Sequence, residues 1–348
     1  MTVCTVLLLA KSFRSEFGSK LSKKVFYRIL REAHMDFVKP VLLVGIGGAG
    51  SKMANNAASL IGSDVFSISH DSNDLSSHHD IKIHAESYIN PSAYLIRAEA
   101  QKSEQRIRDK FSNYKTIVIF ANLAGKSGCA ISPIIANIAK EDGKHVLSIG
   151  IMPFKFEKER LFLSGISLKR LRGSSDSTIV VDNDALLEAN PDLTASKCYE
   201  ITNHAVMYVI NALASSNISD NLNILSTSKN EKDIETSLRE SIQMLYEDAP
   251  PKSIKKTMLY VFGTDNVSIG KINSVVNTIT GVFNDNNTGV SLATTQGDKS
   301  QVVMVSSVEG TVKFDSYDPL GIIPKENTLD WDVPESSIKT GIELYQLE

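Results

Sequence analysis

The chain has 348 residues, 42% hydrophobic and 22% charged, with a formal net charge of −3. That is material for two globular domains or one large one, and the charge balance excludes a nucleic-acid partner held by a general basic field. Three cysteines without a close pair (Cys4, Cys129, Cys198) exclude a zinc cluster or disulfide framework and predict a cytoplasmic protein. Residues 1–37 form a basic extension in which Leu21, Val25, Phe26, Ile29 and Leu30 share one helical face ringed by Lys20, Lys23, Lys24, Arg28 and Arg31. Such a helix either packs on its own domain or lies on a membrane or a protein adaptor. Val6–Ala10 is too short for a secretory signal, no run reaches the ~20 residues of a membrane span, and Met35 is an alternative natural start to Met1.

From Val41 the pattern alternates. An apolar strand ends in Gly45-Ile-Gly47-Gly48-Ala49-Gly50, and Ser51 to Ile61 continues at helical spacing. Strand, glycine turn and helix together aim backbone N–H groups and a helix N-terminus at a phosphate. Val65–Ser69 is the second strand, ending at His70-Asp71, and His78, His79 and His84 follow in a polar loop without metal-ligand spacing. A long helix is expected from Pro91 and a strand over Thr116–Phe120. The loop Ala121–Ala130 then leads to a helix with Pro133 in its first turn. Strands His145–Ile151 and Thr178–Val181, a helix over Tyr199–Ser215 and a polar loop over Ser216–Asn230 come next. A smaller α+β segment completes the pattern, with helices Ile234–Leu245 and Val267–Phe283 and strands Met258–Phe262, Val290–Ala293 and Val302–Val308. The fold class is therefore α/β: a Rossmann-like, mostly parallel sheet with helices on both faces, a long central helix, then a smaller α+β domain. The boundaries expected are 1–37, 38–197, 198–216 (the linking helix), 217–310, and an acidic tail at 311–348.

Taken alone, Gly45–Gly50 with Asp71 some twenty residues on matches the dinucleotide fingerprint, so an NAD(P)-dependent oxidoreductase stays open. Gly125-Lys126-Ser127 is no P-loop, because the leading glycine would have to stand at Phe120, inside a strand. Taken together, the motifs are more specific. The glycine turn, Asn90-Pro91, Pro153-Phe-Lys-Phe-Glu157-Lys-Glu-Arg160 and Asn183-Asp-Ala-Leu-Leu-Glu188 occur in an order that resembles the FtsZ branch of the tubulin/FtsZ superfamily, over roughly residues 38–310.

The resemblance implies a pocket for GTP or GDP, with Mg²⁺ left open beside it, and subunits stacked head to tail. Carried over by position, Gly45, Gly47, Gly48, Ala49, Gly50 and Ser51 would face the phosphates with Gly125, Lys126, Ser127 and Gly128. Asp71 would lie near the nucleotide, Glu157 and Arg160 on the ribose and phosphate side, and Asn183 and Asn203 beside the base. The plain alternatives are that Asp71 and Asn183 cap strand ends and that Glu157–Arg160 is a surface ion pair. Two departures stand out. Ala124-Gly-Lys-Ser-Gly-Cys-Ala130 replaces the family's G-G-G-T-G-T-G, so Lys126 either pairs with phosphate or blocks the cradle. Glu86 adds charge that repels a triphosphate. The stretch aligned with the hydrolytic N-x-D-x-x-D, Leu222–Lys229, has no carboxylate; the nearest acids are Glu231 and Asp233, and a longer loop would be needed to bring Asp233 in. The expectation is a filament-forming, cell-division-type protein with slow or absent hydrolysis, meeting its neighbour through the nucleotide mouth and the Ser216–Asn230 loop. A nucleotide-free relative of the same fold is the alternative. Leu329–Pro334 in the tail is either a docking peptide or packed on the second domain.

Overall fold

The computed structural model describes residues 34–35, 37–85, 90–213, 218–219, 221–229, 233–263, 269–283, 289–294 and 301–318. The basic N-terminal helix, Glu86 and the Leu329–Pro334 stretch lie outside them.

The strands form where β-branched and aliphatic residues run together. In chain order they are β1 (His34–Met35), β2 (Val41–Ile46), β3 (Asp64–Ser69), β4 (Ile81–Lys82), β5 (Thr116–Asn122), β6 (His145–Met152) and β7 (Ser177–Asp182), followed by β8 (Ile218–Ser219), β9 (Asn221–Thr227), β10 (Ile254–Gly263), β11 (Gly289–Thr294) and β12 (Gln301–Val308). The helices are α1 (Gly47–Ile61), α2 (Ala93–Lys102), α3 (Glu104–Phe111), α4 (Lys126–Glu141) and α5 (Lys158–Ser174), then α6 (Asn183–Ala189), α7 (Ala195–Leu213), α8 (Ile234–Asp248) and α9 (Ile269–Phe283). One ten-stranded sheet runs β11-β10-β12-β9-β7-β6-β5-β2-β3-β4, and β1 pairs with β8 apart from it. From β4 to β9 every pairing is parallel; β12 is antiparallel to both β9 and β10. This is the α/β, mostly parallel architecture that the strand–helix alternation predicts.

The period-2 alternation of side chains sorts the core into two faces. Leu42, Val44 and Ile46 join Ile117, Ile119 and the inner sides of α2–α5, α8 and α9. Val41, Leu43, Val118 and Phe120 pack instead on α1 (Met53, Ala54, Ala57) and α7 (Ala205, Val206, Val209). The first strand, β2, has β3 on one side and β5 on the other, so the chain reverses its direction of winding there. Ligands bind outside the carboxyl ends of strands at such a switch point.

Three sequence expectations are corrected. The helix expected from Pro91 starts at Ala93, with the Ser92 hydroxyl accepting from the Leu95 N–H, and a break at Ser103 divides it into α2 and α3. Pro133 lies well inside α4 rather than in its first turn. Its missing N–H would orphan the Cys129 carbonyl, and the Ser167 hydroxyl donates to that oxygen at 2.9 Å. Most consequential, Asn221–Thr227, within the expected Ser216–Asn230 loop, is a strand. Residues 222–228 are all buried, and β9 is hydrogen-bonded to β7 on one side and β12 on the other. Two of its polar side chains find partners inside, Asn223 Nδ2 donating to Ser177 Oγ and Thr227 Oγ1 accepting from Gln301, while the buried Ser226 hydroxyl has none among the described residues. Residues 222–228 are thus buried within the molecule itself.

After β12 the chain returns to the first half. Lys313 Nζ donates to Asp182 Oδ2 at 2.6 Å and to Asp248 Oδ1 at 3.4 Å, while Arg172 holds Asp315 and Lys169 holds Asp318. Asp182 also caps α6 through the Asp184 N–H, so this strap braces the turn that carries Asn183. Burial, then Asp182, pushes the Asp248 carboxyl well above its ordinary range. Burial and Asp182 push the Tyr317 phenol up to about 12.

Candidate functional site

At the switch point two helices begin side by side. α1 starts directly at the end of β2, and α4 starts at Lys126, four residues after β5. Three other helix starts are closed by side chains, Ser92, Asp182 and Asp233 each accepting from a backbone N–H of the helix that follows, and α3 and α5, which lack such a cap, carry an acid in the first turn, Glu104 and Glu159. Neither α1 nor α4 has a side-chain cap, and neither has an acid in its first turn. Their initial N–H groups and the positive ends of two helix dipoles are left for something else. Ser51, 4% exposed, adds a hydroxyl with no hydrogen-bond partner among the described residues.

The glycines make this proximity possible. A Cβ at Gly50 would lie 2.3 Å from the Phe120 carbonyl oxygen, and one at Gly128 1.9 Å from that of Asn122, so both helices press onto β5. Gly47 has φ +69°, the left-handed region that glycine enters without strain.

A cavity of about 600 Å³ opens from this corner between α1 and α7. Gly48, Ala49, Lys52 and Asn56 line one wall, Tyr199, Asn203 and His204 the other, with Asn122 between. Tyr199 stands edge-on to Phe154, centroids 5.3 Å apart, and presents an aromatic ring one helical turn before Asn203. Glu200 also lines the cavity; a hydrogen bond from Lys197 holds its carboxyl below the ordinary range. Among the described residues no group of three or more His, Cys, Asp or Glu is placed to hold a metal ion.

Of the residues singled out in sequence, Gly48, Ala49 and Asn203 line the cavity. Gly45, Gly47, Gly50 and Ser51 belong to the same β2–α1 turn, and Gly125, Lys126, Ser127 and Gly128 to the start of α4, where Lys126 is exposed and Ser127 buried. The others are engaged locally. Asp71 Oδ1 accepts from the Asn73 N–H. Glu157 accepts from the Phe154 N–H and from Arg160, which is itself exposed. Asn183 is fully buried; its Oδ1 accepts from Thr202 Oγ1 at 2.6 Å, and its Nδ2 has no partner among the described residues. Asp233 caps α8 through the Thr236 N–H, and its bond from Lys271 holds the carboxyl below the ordinary range. Sequence reasoning missed Tyr199, Lys52 and Asn122. The four-residue spacing to Asn203 could have found Tyr199; the other two share the cavity only because α1 packs against α7.

The model of the Tubulin/FtsZ family, GTPase domain, matches residues 68–191, which contain β5, the start of α4 and the Asn183 turn. "Cell division protein FtsZ 1" of Pyrococcus woesei is 28% identical over 188 residues, 50% of this chain and 50% of that protein. "Cell division protein FtsZ 2" of Haloferax volcanii is 26% identical over 188 residues, 50% of this chain and 46% of that one. Among solved structures, the empty FtsZ dimer of M. jannaschii superposes with TM-score 0.61 at 18% identity, covering 82% of this chain and 92% of that one. Residues 68–191 thus match the tubulin/FtsZ GTPase domain, and the fold is shared with solved FtsZ. CetZ2 of Haloferax volcanii, solved as a GTPγS-bound protofilament, has TM-score 0.62 at 15% identity, covering 81% of this chain and 97% of that one. The FtsZ-like chain spans about half the length of the curated relatives it matches. No helix among the described residues is long and apolar enough to cross a membrane.

Proposed function

We propose that this chain is a divergent FtsZ-like cytoskeletal protein of the cell-division type, binding GTP or GDP at the β2/β5 corner and self-associating head to tail. The observation that carries the nucleotide half is the pair of uncapped helix N-termini that meet at Gly47 and Ser127, with the first turn of α1 also lining a cavity of nucleotide size. Backbone N–H groups of both helices and the Lys126 ammonium would hold phosphate, and the Tyr199 ring and the Asn203 amide would meet the base. The polymer half rests on the named relatives, among them a protofilament. Slow or absent hydrolysis follows from β9, which carries no carboxylate and is enclosed in the sheet, and from Asp233, which is committed to a cap.

The test is thermal unfolding with guanosine, GTP and GDP, paired with sedimentation. A native-state ligand at a hundredfold excess over Kd adds about 2.7 kcal/mol, several degrees in Tm. No shift with either nucleotide, and no pelleting in any nucleotide state, would overturn both halves. One observation favours a second reading, a nucleotide-free scaffold of the same fold. The Ser127 Cβ would lie 3.3 Å from a Cβ at Gly47, so protein atoms cover part of the turn.

A further inference from the structure

Gly48 stands in the first turn of α1, and what lies against it is a carboxylate. A Cβ at Gly48 would come 2.5 Å from Asp74 Oδ1 and 3.3 Å from its carboxyl carbon. Asp74 belongs to the short 3-10 turn after β3 (Ser72–Asp74) and is half-buried. Its Oδ2 accepts from Ser69 Oγ at 2.6 Å, and Ser69 Oγ lies 3.0 Å from Ser127 Oγ in the first turn of α4.

Counting protons gives this chain of groups a direction. Ser69 spends its one proton on Asp74 and accepts from the Asp71 N–H, so Ser127 must be the donor to Ser69. Ser127 Oγ in turn accepts from the His70 N–H at 3.3 Å and faces His70 Nδ1 at 2.6 Å, which must then carry a proton. The relay thus runs from His70 through two hydroxyls into the Asp74 carboxylate, and it spans the gap between the two uncapped helix starts. α1 lacks an acid of its own, and a carboxylate from a neighbouring turn occupies its N-terminal end.

We infer that Asp74 is a tethered anion resident in the phosphate-binding corner, and that it sets how many phosphate charges the site accepts. This rests on the nucleotide assignment above. An incoming polyphosphate meets a fixed negative charge already paired with the helix dipole. The resulting repulsion grows with each added phosphate and leaves an uncharged nucleoside unaffected.

The experiment is isothermal titration of the full chain and of D74N with guanosine, GDP and GTP at one ionic strength. Asparagine keeps the side-chain volume and an oxygen for Ser69 while removing the charge. D74N should tighten GTP about tenfold or more, GDP by less, and guanosine by under about twofold. D74A should give the same ranking without the Ser69 bond, and serves if the amide variant folds poorly. Equal gains for all three ligands, or no gain where the wild-type chain binds GTP, overturn the role of Asp74 and leave the nucleotide site standing. No binding of any guanine ligand by any of the three proteins overturns the site and this inference together.

Discussion

Lys313 is the cation that joins two buried carboxylates, Asp182 at the end of β7 and Asp248 in α8. Asp182 and Asp248 are both sealed from solvent, and Lys313 bonds to each. Breaking a buried pair by removing one partner leaves uncompensated charge, at a cost of about 3–5 kcal/mol. K313A should therefore lower the denaturant midpoint sharply at neutral pH; a loss below about 1 kcal/mol would mean that the carboxylates are not charged together. Asp248 gives this cluster a pH dependence of definite sign. Its folded carboxyl titrates above the unfolded one, through burial first and Asp182 second. A group raised in this way contributes stability that is complete below the unfolded value, about 3.9, and is lost as pH rises through the folded value. D248N, which mimics the protonated form, should flatten that decline. Equal Tm–pH slopes in the two proteins would remove Asp248 from the account.

The two bare helix starts yield a prediction in which stability and binding move in opposite directions. Lys126 places a cation at the positive end of α4, unfavourable by about 0.3–1 kcal/mol. K126E should raise stability by about that amount while weakening GTP binding, since an anion would then occupy the phosphate corner. A variant that gains stability and keeps its affinity would place the phosphate elsewhere. Helix starts also show how much the sequence discloses. The β2 and β5 strands, the glycine turn and the order of the motifs are legible because they depend on local chemistry: apolar runs and positive φ. The start of α4 is not, because Pro133 reads as a first-turn residue; only Ser167, more than thirty residues away, rescues the carbonyl that the proline abandons. Likewise Leu222–Ser228 has the composition of a loop. Its asparagine and threonine become strand residues only when Ser177, Gln301 and Met244 arrive as partners. The cavity follows the same rule: Asn203 was visible by motif, whereas Lys52 and Asn122 join it through tertiary packing alone.

At the scale of the whole molecule, the enclosed position of β9 can be tested directly. Amides of a strand paired on both sides exchange only when the sheet opens, so those of β9 should exchange near the global unfolding limit, as slowly as those of β5. Exchange within seconds would restore the loop assignment. Grafting an acid back into this segment should fail for the same reason. S226D would bury a charge in a site that is 0% exposed, so the expected result is several kcal/mol of destabilisation with no gain in phosphate release. Where β9 is sewn between β7 and β12, the two halves share one hydrogen-bonded fabric, and the Lys313 strap fastens them a second time. Any pivot of one half against the other would have to tear ladder bonds open. A polymer of such subunits would be assembled from stiff bricks, and its bending would be confined to the mortar between them.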